Sequence, residues 1–296
     1  MDTRAFTLTM ADGRDLDVVL DGPAHGPVLV FYPGTPSGAV SCPLLTGPAA
    51  RRGMRTVAWS RPGYGTSTSR PGRAVADVVS DAAEVLEHLG ADSFVTIGWS
   101  GGGPHALAST ALLRDRCLGA ALIGGAAPYG AEGLDWLTGM GPENLEEFAA
   151  AVAGQAAMED FLRPMQEPLR SMSASQVAEG LGELIDDVDR AAAAGELAAF
   201  LAASMRRAVL TGIDGWRDDD LAFVKDWGVD LSTISRPVTI WQGVHDRMVP
   251  DSHGRWLAEH IPGATLRLEP TEGHLSLMHR AEEILDDLLS GQATAA

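Results

Sequence analysis

Ser100 stands in Gly98-Trp99-Ser100-Gly101-Gly102, directly after the apolar, β-branched run Phe94-Val95-Thr96-Ile97. A serine presented at the tip of a strand-to-helix turn becomes a nucleophile once a neighbouring base takes its proton. The Gly-x-Ser-x-Gly pattern is weak by itself, because 18 serines and 34 glycines among 296 residues lead to about 0.24 chance matches. Its surroundings must therefore decide. A serine in such a turn has its backbone in a sparsely populated region, with the residues two positions away pressed against it. Gly98 and Gly102 occupy those two positions, and Gly101 brings an N–H to where the oxyanion of a tetrahedral intermediate would form. Pro104 lies where a following helix would start, which costs only an N–H that has no helical partner.

A serine nucleophile needs a histidine as base and a carboxylate to fix that histidine's tautomer. The last strand read from the sequence, Ala264–Leu268, is followed by a turn that contains His274. The strand before it, Pro237–Trp241, is followed by Gln242–Pro250, which contains Asp246. The chemistry these three groups could perform together is acyl transfer.

The elements that must position them alternate in kind. Ala5–Met10 and Leu16–Leu20 around Asp12-Gly13 read as a hairpin, and Val28–Tyr32, Arg55–Trp59 and Gly119–Gly124 as further strands. Apolar residues at Val75, Val78, Ala82, Val85 and Leu89 predict a helix over Ala74–Leu89 closed by Gly90. After Pro128 about a hundred residues carry no strand signal. Leu145, Phe148 and Val152 share a helical face, Ser173 and Gln176 form a capping box ahead of Val177, and Leu201, Met205 and Val209 recur every four residues. Helices are also predicted at Ser252–Ile261 and around Ile284, Leu285 and Leu288, with a loose tail from Gly291 to Ala296. Such alternation implies an α/β fold with a mostly parallel sheet covered on both faces, and with ligands at the carboxyl ends of the strands.

With Ser100, Asp246 and His274 in that order, and with Gly243-x-x-Asp246-x-x-Val249-Pro250 and Gly273-His274 around the acid and the base, the chain resembles the α/β-hydrolase family. The resemblance implies an eight-stranded sheet, a core of residues 1–128 and 237–296, and a helical cap at 129–236. It makes Ser100, Asp246 and His274 the catalytic residues and the N–H groups of Thr35 and Gly101 the oxyanion hole. The family's common His-Gly before the first of these donors is Pro33-Gly34 here; Pro33 and Pro36 lack an N–H, so only Gly34 or Thr35 can donate. Gly34, Tyr64, Trp99, Trp241 and His245 are candidates for the wall of the acyl pocket. The other acid position known in such folds reads Gly124-Gly125-Ala126, without a carboxylate.

The expected activity is cleavage of a carboxylic ester or lactone by a serine hydrolase that needs neither cofactor nor metal. Serine in place of aspartate as nucleophile speaks against epoxide-hydrolase and dehalogenase chemistry. An acyltransferase shares the same groups, and a non-catalytic ligand-binding protein could keep the fold. A prolyl aminopeptidase would need acidic groups to hold a substrate ammonium, and the sequence places none. The run Asp218-Asp219-Asp220 reads as a solvated helix start. His25, His88 and His260 read as solvated and His105 as packing.

A net charge of −18 argues against nucleic acid or an anionic membrane as partner, and no stretch is long and apolar enough to span a bilayer. Cys42 and Cys117 match no metal or redox spacing and read as buried thiols in a cytoplasmic monomer or homodimer.

Overall fold

The computed structural model describes residues 2–293. Eight strands form one sheet: β1 (Thr3–Thr9), β2 (Asp15–Asp21), β3 (Val28–Tyr32), β4 (Arg55–Trp59), β5 (Phe94–Trp99), β6 (Cys117–Ile123), β7 (Val238–Gly243) and β8 (Thr265–Glu269), in the order β1-β2-β4-β3-β5-β6-β7-β8. β1 and β2 are the antiparallel hairpin expected around Asp12-Gly13, β2 also pairs antiparallel with β4, and every later pairing is parallel.

β3 and β5 are buried along their whole length, which is why they read as unbroken apolar runs. Their side chains nevertheless alternate between two cores. Val28, Val30, Tyr32 and Phe94 face one core, with α2 (Val78–His88), α3 (Gly102–Leu112) and α11 (Asp251–His260). Leu29, Phe31, Val95, Ile97 and Trp99 face the other, with α1 (Pro43–Arg51) and α12 (Ala281–Ala293). The chain leaves β3 for β4 on one side and returns to pair β5 on the other. The order therefore reverses between β3 and β5, and a crevice opens there at the strands' carboxyl ends.

Between β6 and β7 lie only helices: α4 (Pro142–Ala153), α5 (Gln155–Leu162), α6 (Gln166–Arg170), α7 (Val177–Gly180), α8 (Asp187–Ala192), α9 (Gly195–Ala208) and α10 (Asp214–Phe223). The Ser173–Gln176 capping box is present. It opens only a single 3-10 turn and the one-turn α7. The insert is not a separate body. Leu197, Phe200 and Leu201 of α9 join one core of the sheet, and Ala222 and Phe223 of α10 join the other.

Two readings differ from the sequence. The tail expected to be loose is helical through Ala293, with 294–296 outside the described residues. The aspartate run is not a solvated helix start: Asp218, Asp219 and Asp220 lie well inside α10 and are all buried. Arg61 and Arg73, distant in sequence, supply the countercharge of Asp219, and Glu147 of α4 lies against Asp220, which a local reading does not see; Asp218 pairs with its neighbour Arg217.

No helix among the described residues is long and apolar enough to cross a membrane. Ile97 in β5 is fully buried against the second core. Ile97→Ala is expected to destabilise the protein by about 2–5 kcal/mol, lowering the urea midpoint with the slope unchanged; a wild-type midpoint would contradict this packing.

Candidate active site

Ser100 is the one non-glycine residue with positive φ among the described residues, at +56°. L-residues avoid this region because Cβ crowds the backbone, so the surroundings must impose it. Ser100 N–H donates to Ile123 O at 2.9 Å and Gly103 N–H to Ser100 O at 2.8 Å, so the turn is tied to β6 on one side and to α3 on the other. The close approach that makes this possible needs the flanking glycines. A Cβ on Gly98 would lie 2.6 Å from Gly102 O, and one on Gly102 would lie 2.0 Å from Tyr32 O.

The loop after β3 comes up against this turn. A Cβ on Gly34 would lie 3.1 Å from Ser100 Cβ, and one on Gly101 would lie 2.4 Å from Thr35 Oγ1. Thr35 and Gly101 thus flank the Ser100 hydroxyl from two different strand ends.

His274 follows β8 and is fully buried, with Nδ1 2.7 Å from Asp246 Oδ2. An ionised carboxylate only accepts, so Nδ1 carries the proton and the Nε2 lone pair is left available. Asp246 is itself held: Oδ1 accepts from Met248 N–H at 2.9 Å and Val249 N–H at 2.7 Å, and Oδ2 from Gln242 Nε2 at 3.2 Å. Gly124 makes room for this pair, since a Cβ there would lie 2.8 Å from His274 Nδ1 and 2.9 Å from Asp246 Oδ2. The strand end that lacks a carboxylate is thus the one whose side-chain space the pair occupies.

Ser100 and His274 open on one cavity of about 430 Å³, walled also by Gly34, Thr35, Trp99 and Gly101 and by insert residues. The volume suits a small organic ligand. Among the described residues His274 is the only histidine in its wall. Three of the expected wall residues lie elsewhere. Tyr64 is buried beneath the site with its hydroxyl on Asp219 Oδ2, Trp241 belongs to the second core, and His245 is exposed and pairs with Asp186. In their place stand Trp136, Phe148, Leu201, Met205, Trp216 and Phe223, along with three acids that the sequence did not place: Glu143, Glu147 and Asp220.

Sequence reading also missed two buried insert carboxylates. Asp219 accepts from Arg61 Nη2 at 2.6 Å, Tyr64 Oη at 2.9 Å and Thr35 Oγ1 at 3.0 Å, and is paired with Arg73 at 2.7 Å. Arg61 in turn donates to the carbonyls of Pro33 and Gly34. Burial alone would push the Asp219 carboxyl up, but the two arginines hold it well below the usual range. His105 lies against the same carboxylate; burial in particular brings it down to about 4, so it is neutral. Asp189, on α8, accepts the N–H groups of His274, Leu275 and Ser276 at 2.7, 2.8 and 2.9 Å. The only sequence signal for either was a carboxylate inside a helical stretch, which describes most solvated helices equally well.

A sequence model described as the alpha/beta hydrolase fold matches residues 27–281. The chain belongs to that family. An uncharacterized hydrolase of Bacillus subtilis, YcgS, is 26% identical over 289 residues, 93% of each chain. Among solved structures, the epoxide hydrolase CorEH aligns over 100% of both chains with a TM-score of 0.74 and 17% identity. The esterase EaEST from Exiguobacterium antarcticum aligns over 98% of this chain and 100% of its own, with a TM-score of 0.71 and 20% identity. At such identities these structures share the α/β-hydrolase fold with this chain, and their chemistry is their own.

Burial works against charge on His274, but Asp246, by charge and hydrogen bond, and then Asp189 outweigh it, so the imidazole titrates above its ordinary value. Asp189→Asn removes a negative charge near the ring and turns a donor toward backbone N–H groups. The expected results are a loss of about 1–3 kcal/mol of stability and a lower His274 pKa, read by NMR titration of the ring. An unmoved pKa would sever Asp189 from the imidazole's electrostatics.

Proposed function

We propose that this protein is a serine hydrolase that cleaves a carboxylic ester or lactone through an acyl-enzyme. Ser100 Oγ attacks the carbonyl while its proton passes to His274 Nε2, and Asp246 holds Nδ1–H and stabilises the imidazolium. The N–H groups of Thr35 and Gly101 receive the oxyanion. Collapse expels the alcohol, which takes the proton from His274. Water then repeats the sequence on the acyl-enzyme and releases the acid and free Ser100. Helices 129–236 act as the cap over the acyl group.

One observation carries most of this reading: Ser100, strained into positive φ, and His274, hydrogen-bonded to Asp246, face a single cavity. A strained residue marks a position the surrounding fold over-determines, and such positions concentrate at functional sites. The alcohol nucleophile favours acyl chemistry over the aspartyl-ester route of epoxide opening, in spite of the fold shared with CorEH. A cytoplasmic setting is part of the proposal. It rests on two buried free thiols, Cys42 and Cys117, which burial pushes up to about 12 and about 11, far from reactive thiolates.

A fluorophosphonate probe is expected to label Ser100 in folded protein, and Ser100→Ala to lose both the label and at least about 10³-fold of ester turnover. Unlabelled Ser100, or undiminished turnover in Ser100→Ala, would overturn the proposal. Because His274 titrates above its ordinary value, kcat/KM should rise with pH through an inflection above about 6.5 as the ring loses its proton. A flat profile between about pH 5 and 8 would remove His274 as the base.

A further inference from the structure

The cavity wall is largely apolar except where the insert contributes acids. Among the described residues it carries Glu143, Glu147 and Asp220 and no lysine or arginine. Glu147 of α4 and Asp220 of α10 meet carboxyl to carboxyl. Glu147 Oε1 accepts from Trp216 Nε1 at 2.5 Å. Asp220 is 1% exposed, and its Oδ2, like Glu143 Oε2, is buried with no donor from the protein. The nearby arginines pair with other carboxylates: Arg61 and Arg73 with Asp219, Arg73 keeping Nε and Nη1 without a partner among the described residues, and Arg217 with Asp214, Asp218 and Glu159.

Asp220 is buried and Glu147 half-buried, and two carboxyls in contact there do not both carry charge. Burial first, and then for Asp220 the neighbouring Glu147, hold both above the usual carboxylate range, so the unliganded pair keeps a proton between them. Buried acceptors in proteins are nearly always satisfied. Acceptors left over in the wall of a ligand cavity lack a donor that a ligand would bring.

The pair also lies at a useful distance from Ser100. Asp220 and Phe223 are three residues apart on α10, hence neighbours with Cβ atoms about 5–6 Å apart. The Phe223 ring reaches the nucleophile's neighbour: a Cβ on Gly101 would lie 3.1 Å from Phe223 Cζ. One small molecule can therefore touch both places.

We propose that Glu147 and Asp220 form a subsite for a protonated amine, so that the substrates of Ser100 carry an ammonium group a few atoms from the scissile carbonyl. This substrate class rests on the reading of Ser100 as nucleophile; the subsite itself does not. An ammonium brings three donors and one positive charge, and charge-assisted hydrogen bonds to carboxylates are the strong ones. Its arrival expels the shared proton to the buffer, leaving two carboxylates around one cation. A hydroxyl in its place brings a donor without the charge, and an anion is repelled by the charge that remains on these acids.

Two measurements test this. In calorimetry with buffers of different ionisation enthalpy, hexylammonium should bind the wild-type protein saturably with proton release, and hexanol should bind about tenfold or more weakly. Glu147→Gln and Asp220→Asn should each weaken hexylammonium binding by about tenfold or more. In a series of ω-amino ethyl esters, each set against the alkyl ester of equal length, wild-type kcat/KM should favour the amino ester at one chain length, and both variants should lower that ratio. Alkyl preference at every length, or hexylammonium bound no better than hexanol, overturns the subsite; continued alkyl-ester turnover and probe labelling then leave Ser100's role standing. Proton-releasing hexylammonium binding in a protein that the fluorophosphonate leaves unlabelled instead supports the subsite and overturns the hydrolase reading. Should either variant fail to fold, the wild-type binding and chain-length measurements still decide.

Discussion

Asp219 carries a negative charge into the interior, and two arginines follow it there. Removing such ions from water costs several kcal/mol each unless geometry and hydrogen bonds compensate. Here the compensation is extensive, with Arg61, Arg73, Tyr64 and Thr35 all directed at one carboxylate. Because Arg61 also binds the carbonyls of Pro33 and Gly34, the cluster joins α10 to the loops after β3 and β4. The loop that flanks Ser100 is therefore fixed by a charge that comes from the insert.

Asp189 repeats this arrangement on the other side of the cavity. The three successive N–H groups of His274, Leu275 and Ser276, in the connection after β8, converge on it. The insert thus holds the histidine's loop with one carboxylate and the Thr35 loop with another. It also supplies Leu201 and Phe223 to the cavity wall and apolar residues to both faces of the sheet. A segment that looks like an addition to the chain is part of what positions the site.

The strands were legible because burial on both faces demands apolar runs: Val28–Tyr32 was read with the bounds observed, and the run Phe94–Ile97 marks the strand Phe94–Trp99. Ser100, His274 and Asp246 were legible for a related reason. Parallel strands deliver their following loops to one edge, so residues just after β5, β7 and β8 must lie near one another whatever the distance along the chain. Of the five residues expected in the pocket wall, Gly34 and Trp99 line it and three do not. Tyr64, Trp241 and His245 had suitable chemistry and sequence neighbours, but their side chains point beneath the site, into the core and into solvent.

Local patterning by itself determined the α/β alternation, the serine turn, and the placing of Ser100, Asp246 and His274 just after strands, because periodicity and turn chemistry act over a few residues. Only the tertiary structure decided what the aspartates do. Asp218-Asp219-Asp220 has the letters of a solvated helix; Asp218 pairs with its neighbour Arg217, but the burial of Asp219 and Asp220 depends on Arg61, Arg73 and Glu147, which lie far away in the chain on other elements. The energy of a buried charge is set by the groups that surround it in space.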